Sequence, residues 1–371
     1  MKASTDRRSL LAVVAAAAAT TAEDPYLRLV AADHSIACEA ISQEIAAHVR
    51  IPAGVERPGA VAVHARTLSR LAAHLPDGPI ELEEEHPYLH LRFEGGAASL
   101  LAADPLVVAD FPQFPEELAP APDLETLFAQ VIFACAREGD GRPYLQGVRL
   151  DARQGRLCAI ASDGHRLAIA SLPFAGDGSC TITRRTAALL RELWRREQDG
   201  RLALEGSRLF YEAPSARIAA TAIAYPYPDI WQLRQSISPG ASITLPRERL
   251  LEALARASAI LTERESYIAV ASTRKGATIS ASSQEGAVHD LVPPVERTEG
   301  QEKSCYVQPD YLARPLRALP REVETVVLSI TGSRRPLLLT AQQGDLTVEH
   351  LVMPFVLPGQ TEEDDEGGQG Y

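Results

Sequence analysis

A period of about sixty residues runs through the chain and constrains its fold more than any other feature. Six helical segments open in the same way, with a short polar or turn residue followed four positions later by an apolar one. The openings are Asp6, His64, Asp123, Thr183, Pro246 and Gln308, and the apolar followers are Leu10, Leu68, Leu127, Ala187, Leu250 and Leu312. Successive openings lie 58, 59, 60, 63 and 62 residues apart. Self-similarity at a fixed spacing marks a supersecondary unit that must stack on its neighbours to bury its apolar face. Four of the helices follow strand-like runs, AVAV at 60–63, CTIT at 180–183, SITL at 242–245 and SCYV at 304–307. Period-two runs such as IELEEEHPYLHLRFEGG follow the helices, broken by Gly, Pro and Ser turns. The unit is therefore one helix with several antiparallel strands, an α+β design. Pairing units gives three similar domains, 1–120, 121–240 and 241–357, with boundaries at the PAPD linker and at ISPGAS.

Composition narrows the function. The five cysteines, Cys38, Cys135, Cys158, Cys180 and Cys305, form no C-x-x-C pair, which points to a reducing compartment and to neither a disulfide framework nor a zinc site. No metal or cofactor is expected. The net charge of −12 argues against coating nucleic acid by bulk attraction. Lysine occurs only at positions 2, 275 and 303, so phosphate contacts fall to arginine. A helix that covers a sheet buries one stripe and leaves the other face free. That free face carries Arg66 and Arg70 in the second helix, Arg184, Arg185, Arg191, Arg195 and Arg196 in the fourth, and Arg247, Arg249 and Arg256 in the fifth. Each arginine alone reads as a solvated helix face. Gathered on one surface, they would hold a polyanion without sequence readout, because phosphate contacts position and do not specify.

The amino-terminal stretch MKASTDRRSLLAVVAAAAATTAE has the layout of a twin-arginine export signal. It also reads as an amphipathic helix with Asp6 as N-cap and Leu10, Leu11 and Val14 on its buried face. The repeat decides between the two, since loss of residues 1–22 would delete the first of six helices. A cytoplasmic location is the expectation. At the other end, PGQTEEDDEGGQGY at 358–371 has the composition of a disordered acidic tail. It reads as a solubilising end, or as a screen over the neighbouring site.

Four segments carry a family resemblance: GRPYLQGVRL at 141–150, ASDGHRLAIASLPF at 161–174, YPYPDIW at 225–231 and LVMPFVL at 351–357. Together, in this order, they resemble the bacterial DNA polymerase III β subunit, the β sliding clamp, and the likeness extends over nearly the whole chain. The resemblance implies a head-to-tail homodimeric ring of six domains around duplex DNA, with inner helices, outer sheets and no catalytic residues. It implies a non-catalytic processivity factor that tethers DNA polymerase III, through its α subunit, to DNA. A clamp loader and other proteins with clamp-binding motifs are further implied partners, and no membrane is involved. Inner-surface DNA contacts fall on Arg66, Arg70, Arg184, Arg185, Arg191 and Arg195, with Arg142 and Tyr144 on a loop at the ring face. A partner-peptide groove falls on Leu145, Ser162, Gly164, His165, Arg166, Leu167, Pro228, Leu233, Leu351, Val352, Met353, Pro354 and Phe355. The subunit contact falls on Ile260 and Leu261 against Leu100 and Leu101.

The chain departs from the family pattern in a shortened first domain, which lacks the usual loop before YLRLVA, and in Gln232, Arg334 and Pro336 around the groove. These departures motivate a second reading, a divergent accessory clamp serving a specialised polymerase or mobile element. A third is an exported enzyme of unknown chemistry. The DGHR segment at 163–166 reads as a β-turn with the Asp163 side chain capping its own loop, or as an acid/base pair of Asp163 and His165. No nucleophile, metal cluster or glycine-rich phosphate loop accompanies them in the sequence.

Overall fold

The structure is a computed structural model that describes residues 1–14, 25–235, 237, 241–262, 266–297 and 302–356. The acidic tail lies outside the described residues. Seven helices appear among those residues: α1 (Arg7–Val14), α2 (Ala65–His74), α3 (Leu124–Ala129), α4 (Arg184–Arg196), α5 (Ile230–Gln235), α6 (Arg247–Ala259) and α7 (Pro309–Ala318). Every one of the six openings read from the sequence is the residue directly before a helix. Asp6 and Thr183 cap it with a side chain: Ser9 N donates to Asp6 Oδ1 at 2.8 Å, and Thr186 N donates to Thr183 Oγ1 at 3.2 Å. The apolar residue four positions on is fully buried in all six cases. That position closes the first helical turn, so it is where a helix leaving a strand first meets the sheet. The strand-like runs before α2, α4, α6 and α7 are strands, and an unanticipated one, Lys2–Asp6, precedes α1. Helix α5 stands outside the repeat. The side chain of Val14 is not described; Leu10 is buried and Leu11 is half-buried.

The chain forms two compact units that do not follow chain order. The first comprises Met1–Glu125, Asp151–Gly155 and Phe174–Ala224. Its main sheet is antiparallel and continuous because Ala216–Thr221 pairs with Ile45–Pro52, Ile218 standing opposite Ala47. The second comprises Thr126–Leu150, Arg156–Pro173 and Tyr225–Tyr371. Its larger sheet carries Arg156–Ser162, Arg166–Pro173, Leu346–Val352, Leu337–Gln343, Thr325–Ile330 and Ala241–Pro246 in adjacent order, and a four-stranded sheet ends on the edge strand Gly286–Val292.

Arg247 corrects the sequence reading. Placed there on the free face of the fifth helix, it is buried, and its guanidinium donates to the carbonyls of Leu316 (2.9 Å), Pro320 (2.8 Å) and Val323 (3.4 Å). The last carbonyls of a helix have no partner within it, and a planar fork of donors satisfies several at once. Arg7, first in α1 as Arg247 is first in α6, does the same for α2: it donates to Ala73 O at 3.0 Å and pairs with Asp77 at 2.8 Å. A polar residue at the first helical position thus clamps the paired helix, a role that helical periodicity assigns to solvent.

Arg247→Met should lower the stability of the unit by about 2 kcal/mol, because buried carbonyls lose their donor. Arg249→Met, at an exposed site on the same helix, should change it by less than about 0.5 kcal/mol. Urea unfolding of the two variants beside the wild type checks this.

Candidate functional site: a turn and two strands in the second unit

The groove residues read from the sequence converge on one strand pair. Arg166–Ser171 pairs antiparallel with Thr347–Val352, which sets Arg166 opposite Val352 and Leu167 opposite Leu351. Side chains alternate across a sheet, so these residues divide between its faces. Leu167 and Leu351 share one face, where they form a buried cluster with Cys158, Ile160, Ile169, Leu338 and Ile230. Tyr227, Trp231 and Ile237 pack against that cluster from the segment around α5. Beside it Leu233 and Met353 stand 47% and 44% exposed, and Pro228 is exposed. Phe355 is 38% exposed, its N–H donating to Tyr306 O at 2.7 Å, and Pro354 is half-buried. A polypeptide segment would find here apolar side chains at the surface above an apolar floor.

The turn that precedes the second strand is built by its own side chains. Asp163 Oδ1 accepts from the N–H groups of His165 and Arg166, both at 3.0 Å, and Gly164 N donates to Ser162 Oγ at 3.0 Å. Asp and Ser favour such local bonds. Gly164 sits at φ +86°, and a Cβ there would lie 2.2 Å from Arg142 Nη1. The positive φ favours glycine there, whereas the contact with the end of the flexible Arg142 side chain could be relieved by its movement. The turn ends in a clasp, Met353 N donating to His165 O at 2.8 Å, which ties the exposed Met353 to the exposed His165. Leu145 is buried at the end of the short helical turn Pro143–Leu145. Asp163 is thus a structural acceptor, as the reading of this motif as a self-capped turn holds.

Arg166 and Val352 lie on the other face. Val352 is fully buried. The Arg166 side chain is 10% exposed and makes an ion pair with Asp163 at 2.9 Å. It also donates to Phe133 O at 2.7 Å and lies over the rings of Tyr311 (4.7 Å) and Phe133 (5.6 Å). His350, next to Leu351 on the strand and so facing this side, is 2% exposed against Phe133, and its Nε2 has no hydrogen-bond partner. Burial, reinforced by the nearby Arg166 charge, pushes its pKa down to about 3. The sequence already held the signal for this division: adjacent residues of a strand cannot face the same way. Phe133, Tyr311 and His350 carried no such signal, since only the packing of distant segments brings them together.

The other predicted residues are placed as follows. Arg66, Arg70 and Arg184 are exposed and, among the described residues, make no ion pair; Arg185 is exposed as well. Arg195 pairs with Glu125 at 2.5 Å and Arg191 approaches the same carboxylate at 3.9 Å. Arg142 pairs with Asp140 and donates to Asp163 O, each at 3.0 Å, while Tyr144 is half-buried. Leu101 is 67% exposed and Leu100 half-buried on the strand Gly96–Ala103. Among the described residues, that strand meets Gly59–His64 only at Ala102 and Ala103, so its first six residues form a free edge. Ile260 and Leu261 are half-buried at the end of α6. Among the described residues no group of His, Cys, Asp and Glu could hold a metal, and no helix is long and apolar enough to cross a membrane.

Helices over antiparallel sheets, repeated along the chain, define the sliding-clamp fold, and solved clamps share it. The crystal structure of the DNA polymerase sliding clamp from Bacillus subtilis superposes with a TM-score of 0.83 over 96% of this chain and 99% of that one, at 22% identity. A sliding clamp from Pseudomonas aeruginosa bound to griselimycin gives 0.82 over 96% and 100%, also at 22% identity. In sequence, residues 119–229 match the family model for the central domain of the DNA polymerase III β subunit. The β sliding clamp of Bacillus subtilis is 26% identical over 88% of this chain and 90% of its own length. That of Escherichia coli is 32% identical over 120 residues, 31% of this chain and 32% of that protein. The chain is thus similar to bacterial β sliding clamps along most of its length.

His350 gives the site a pH signature. The unfolded chain binds a proton at this residue near pH 6.5, whereas the folded protein resists protonation down to about pH 3. Stability is therefore unaffected above pH 6.5 and falls with pH below it, by about 1.4 kcal/mol per unit at most. His350→Leu should lessen the loss of stability between pH 6.5 and pH 4.5. Urea midpoints at the two pH values check this, and equal losses in both proteins would contradict it.

Proposed function

We propose that the chain is a DNA sliding clamp: a non-catalytic, ring-forming processivity factor that encircles duplex DNA and tethers DNA polymerase and other replication and repair proteins. The observation that carries the reading is the site itself. The DGHRL turn and the LVMPF strand, separated by about 190 residues of sequence, lie side by side with Leu167 opposite Leu351 and Met353 clasped to His165. This is the partner-peptide groove, with Leu167 and Leu351 in its floor, Leu233, Met353 and Phe355 at its surface and His165 on its rim. The DNA polymerase III α subunit and the clamp loader are the partners that the family likeness supplies.

Two further elements belong to the proposal. Three domains, 1–120, 121–240 and 241–357, pair head to tail in a homodimer, and the free edge at Gly96–Leu101 is one side of the seam. Ile260, Leu261 and the edge strand Gly286–Val292 are the other side. Arg66, Arg70, Arg184 and Arg185 give DNA a weak, sequence-independent attraction suited to sliding. Arg191 and Arg195, which share the Glu125 carboxylate, contribute less. Arg142 and Tyr144 touch DNA at the ring face. A cytoplasmic location fits, because Arg7 clamps α2 as part of the folded protein.

The groove is tested with a fluorescent peptide carrying the carboxyl-terminal clamp-binding segment of the DNA polymerase III α subunit from the same cell. The wild type should bind it saturably. Leu167→Asp combined with Met353→Arg should weaken binding at least tenfold, a cost of about 1.4 kcal/mol, while the oligomeric state stays unchanged. Equal binding by both proteins would overturn the groove assignment.

A further inference from the structure

The first unit repeats, within its own sheet, the framework that carries the groove in the second. Two antiparallel strands joined by three residues, Ser35–Ile41 and Ile45–Pro52, correspond to Arg156–Ser162 and Arg166–Pro173, and Ala216–Thr221 corresponds to Leu346–Val352. The match holds residue by residue. Ala46 stands opposite Ala219 and Ala219 opposite Phe210, as Leu167 stands opposite Leu351 and Leu351 opposite Leu338. The turn again caps itself, Ile45 N donating to Ser42 Oγ at 3.2 Å where Arg166 N donates to Asp163 Oδ1 at 3.0 Å. The clasp recurs as well: Thr221 N donates to Glu44 O at 2.8 Å, the counterpart of Met353 N and His165 O.

The two frameworks differ in what covers them. Beside the clasp of the second unit apolar side chains stand at the surface, whereas in the first unit the segment Phe111–Leu118 lies over the equivalent residues. Phe111 and Phe114 pack against the buried cluster of Ala46, Phe210 and Ala219, and Leu118 belongs to that cluster. The segment forms neither helix nor strand, and Pro112 and Pro115 have no N–H to give to a ladder. Side chains hold it instead. Phe114 meets Phe210 edge to face with ring centroids 5.1 Å apart, the Arg217 guanidinium lies 4.1 Å from the Phe114 centroid, and Arg201 donates to Leu118 O at 2.9 Å. Gln113, Glu116 and Glu117 are exposed. Rings turned to the sheet, polar groups turned to water and a backbone outside the ladder are the features of a docked peptide segment.

We propose that the first unit carries a second segment-binding site, equivalent to the groove, and that the chain's own Phe111–Leu118 is its occupant. The comparison with a partner site rests on the groove reading. The site fits a proline-containing segment with two aromatic side chains three residues apart. Tethered by its own chain, such a segment has an effective concentration on the order of millimolar, which fills even a weak site. Each chain therefore offers partners one groove rather than two.

The test uses the full chain with its groove blocked by Leu167→Asp and Met353→Arg, and a fluorescent peptide of residues 109–118, ADFPQFPEEL. Adding Phe111→Ala and Phe114→Ala empties the site. The emptied chain should bind the peptide saturably, at least tenfold more tightly than the blocked chain that keeps both phenylalanines. Arg217→Met in the emptied chain should weaken that binding about fivefold, because the guanidinium–ring contact is lost. No binding by the emptied chain, or equal binding by the two chains, would overturn the proposal. Circular dichroism and urea midpoints identify a variant that fails to fold, and Phe114→Ala alone then decides by the same outcomes. The wild type should take up one α-subunit peptide per chain, and two would overturn the self-occupied site. Absence of α-subunit peptide binding by the wild type would instead defeat the groove reading, and the 109–118 peptide would still decide whether the first unit holds a site.

Discussion

The pairing of Arg166–Ser171 with Thr347–Val352 is the constraint on which the site depends. Two stretches far apart in sequence become neighbours in one sheet, and their register decides everything that follows. With Leu167 opposite Leu351, these two leucines and Ile169 fall on one face and Arg166, Val352 and His350 on the other. A slip of one residue would exchange the faces, setting a guanidinium and an imidazole in the apolar cluster. The clasp from Met353 to His165 and the ion pair from Arg166 to Asp163 fix the register at its end, where the surface side chains stand.

Much of this was legible before any coordinates. The helices begin where the repeat places them because a polar opener followed by an apolar residue at the close of the first turn is a local signal, and Leu10, Leu68, Leu127, Ala187, Leu250 and Leu312 are all buried. The DGHRL turn was legible for the same reason, since Asp163 and Gly164 state their own conformations. Arg247 was not. Helical periodicity sorts residues by polarity, and the carbonyls that recruit this arginine belong to the end of a helix and the turn after it, about seventy residues further on. Arg166 was legible in part: adjacency to Leu167 on a strand gives its face, but Tyr311 and Phe133, which hold it there, come from elsewhere in the chain. The free edge at Gly96–Leu101 depends on which strands fail to pair, and periodicity carries no information about that.

The charge distribution follows the same division of labour. The chain carries a net charge of −12, yet Arg66, Arg70 and Arg184 stand exposed and without ion pairs among the described residues. Other arginines serve the fold: Arg7 and Arg247 clamp helix ends, and Arg166 holds the turn. A protein that retains DNA by enclosing it needs few free cations, because each phosphate contact adds affinity at the expense of sliding. The functional proposal and the structural use of arginine are therefore compatible.

The central claim is that two copies of this chain close around DNA. Negative-stain electron microscopy of the purified full-length protein tests it most directly. The account predicts class averages showing a closed ring with a central hole and a pseudo-sixfold outline; compact particles without a hole would contradict it.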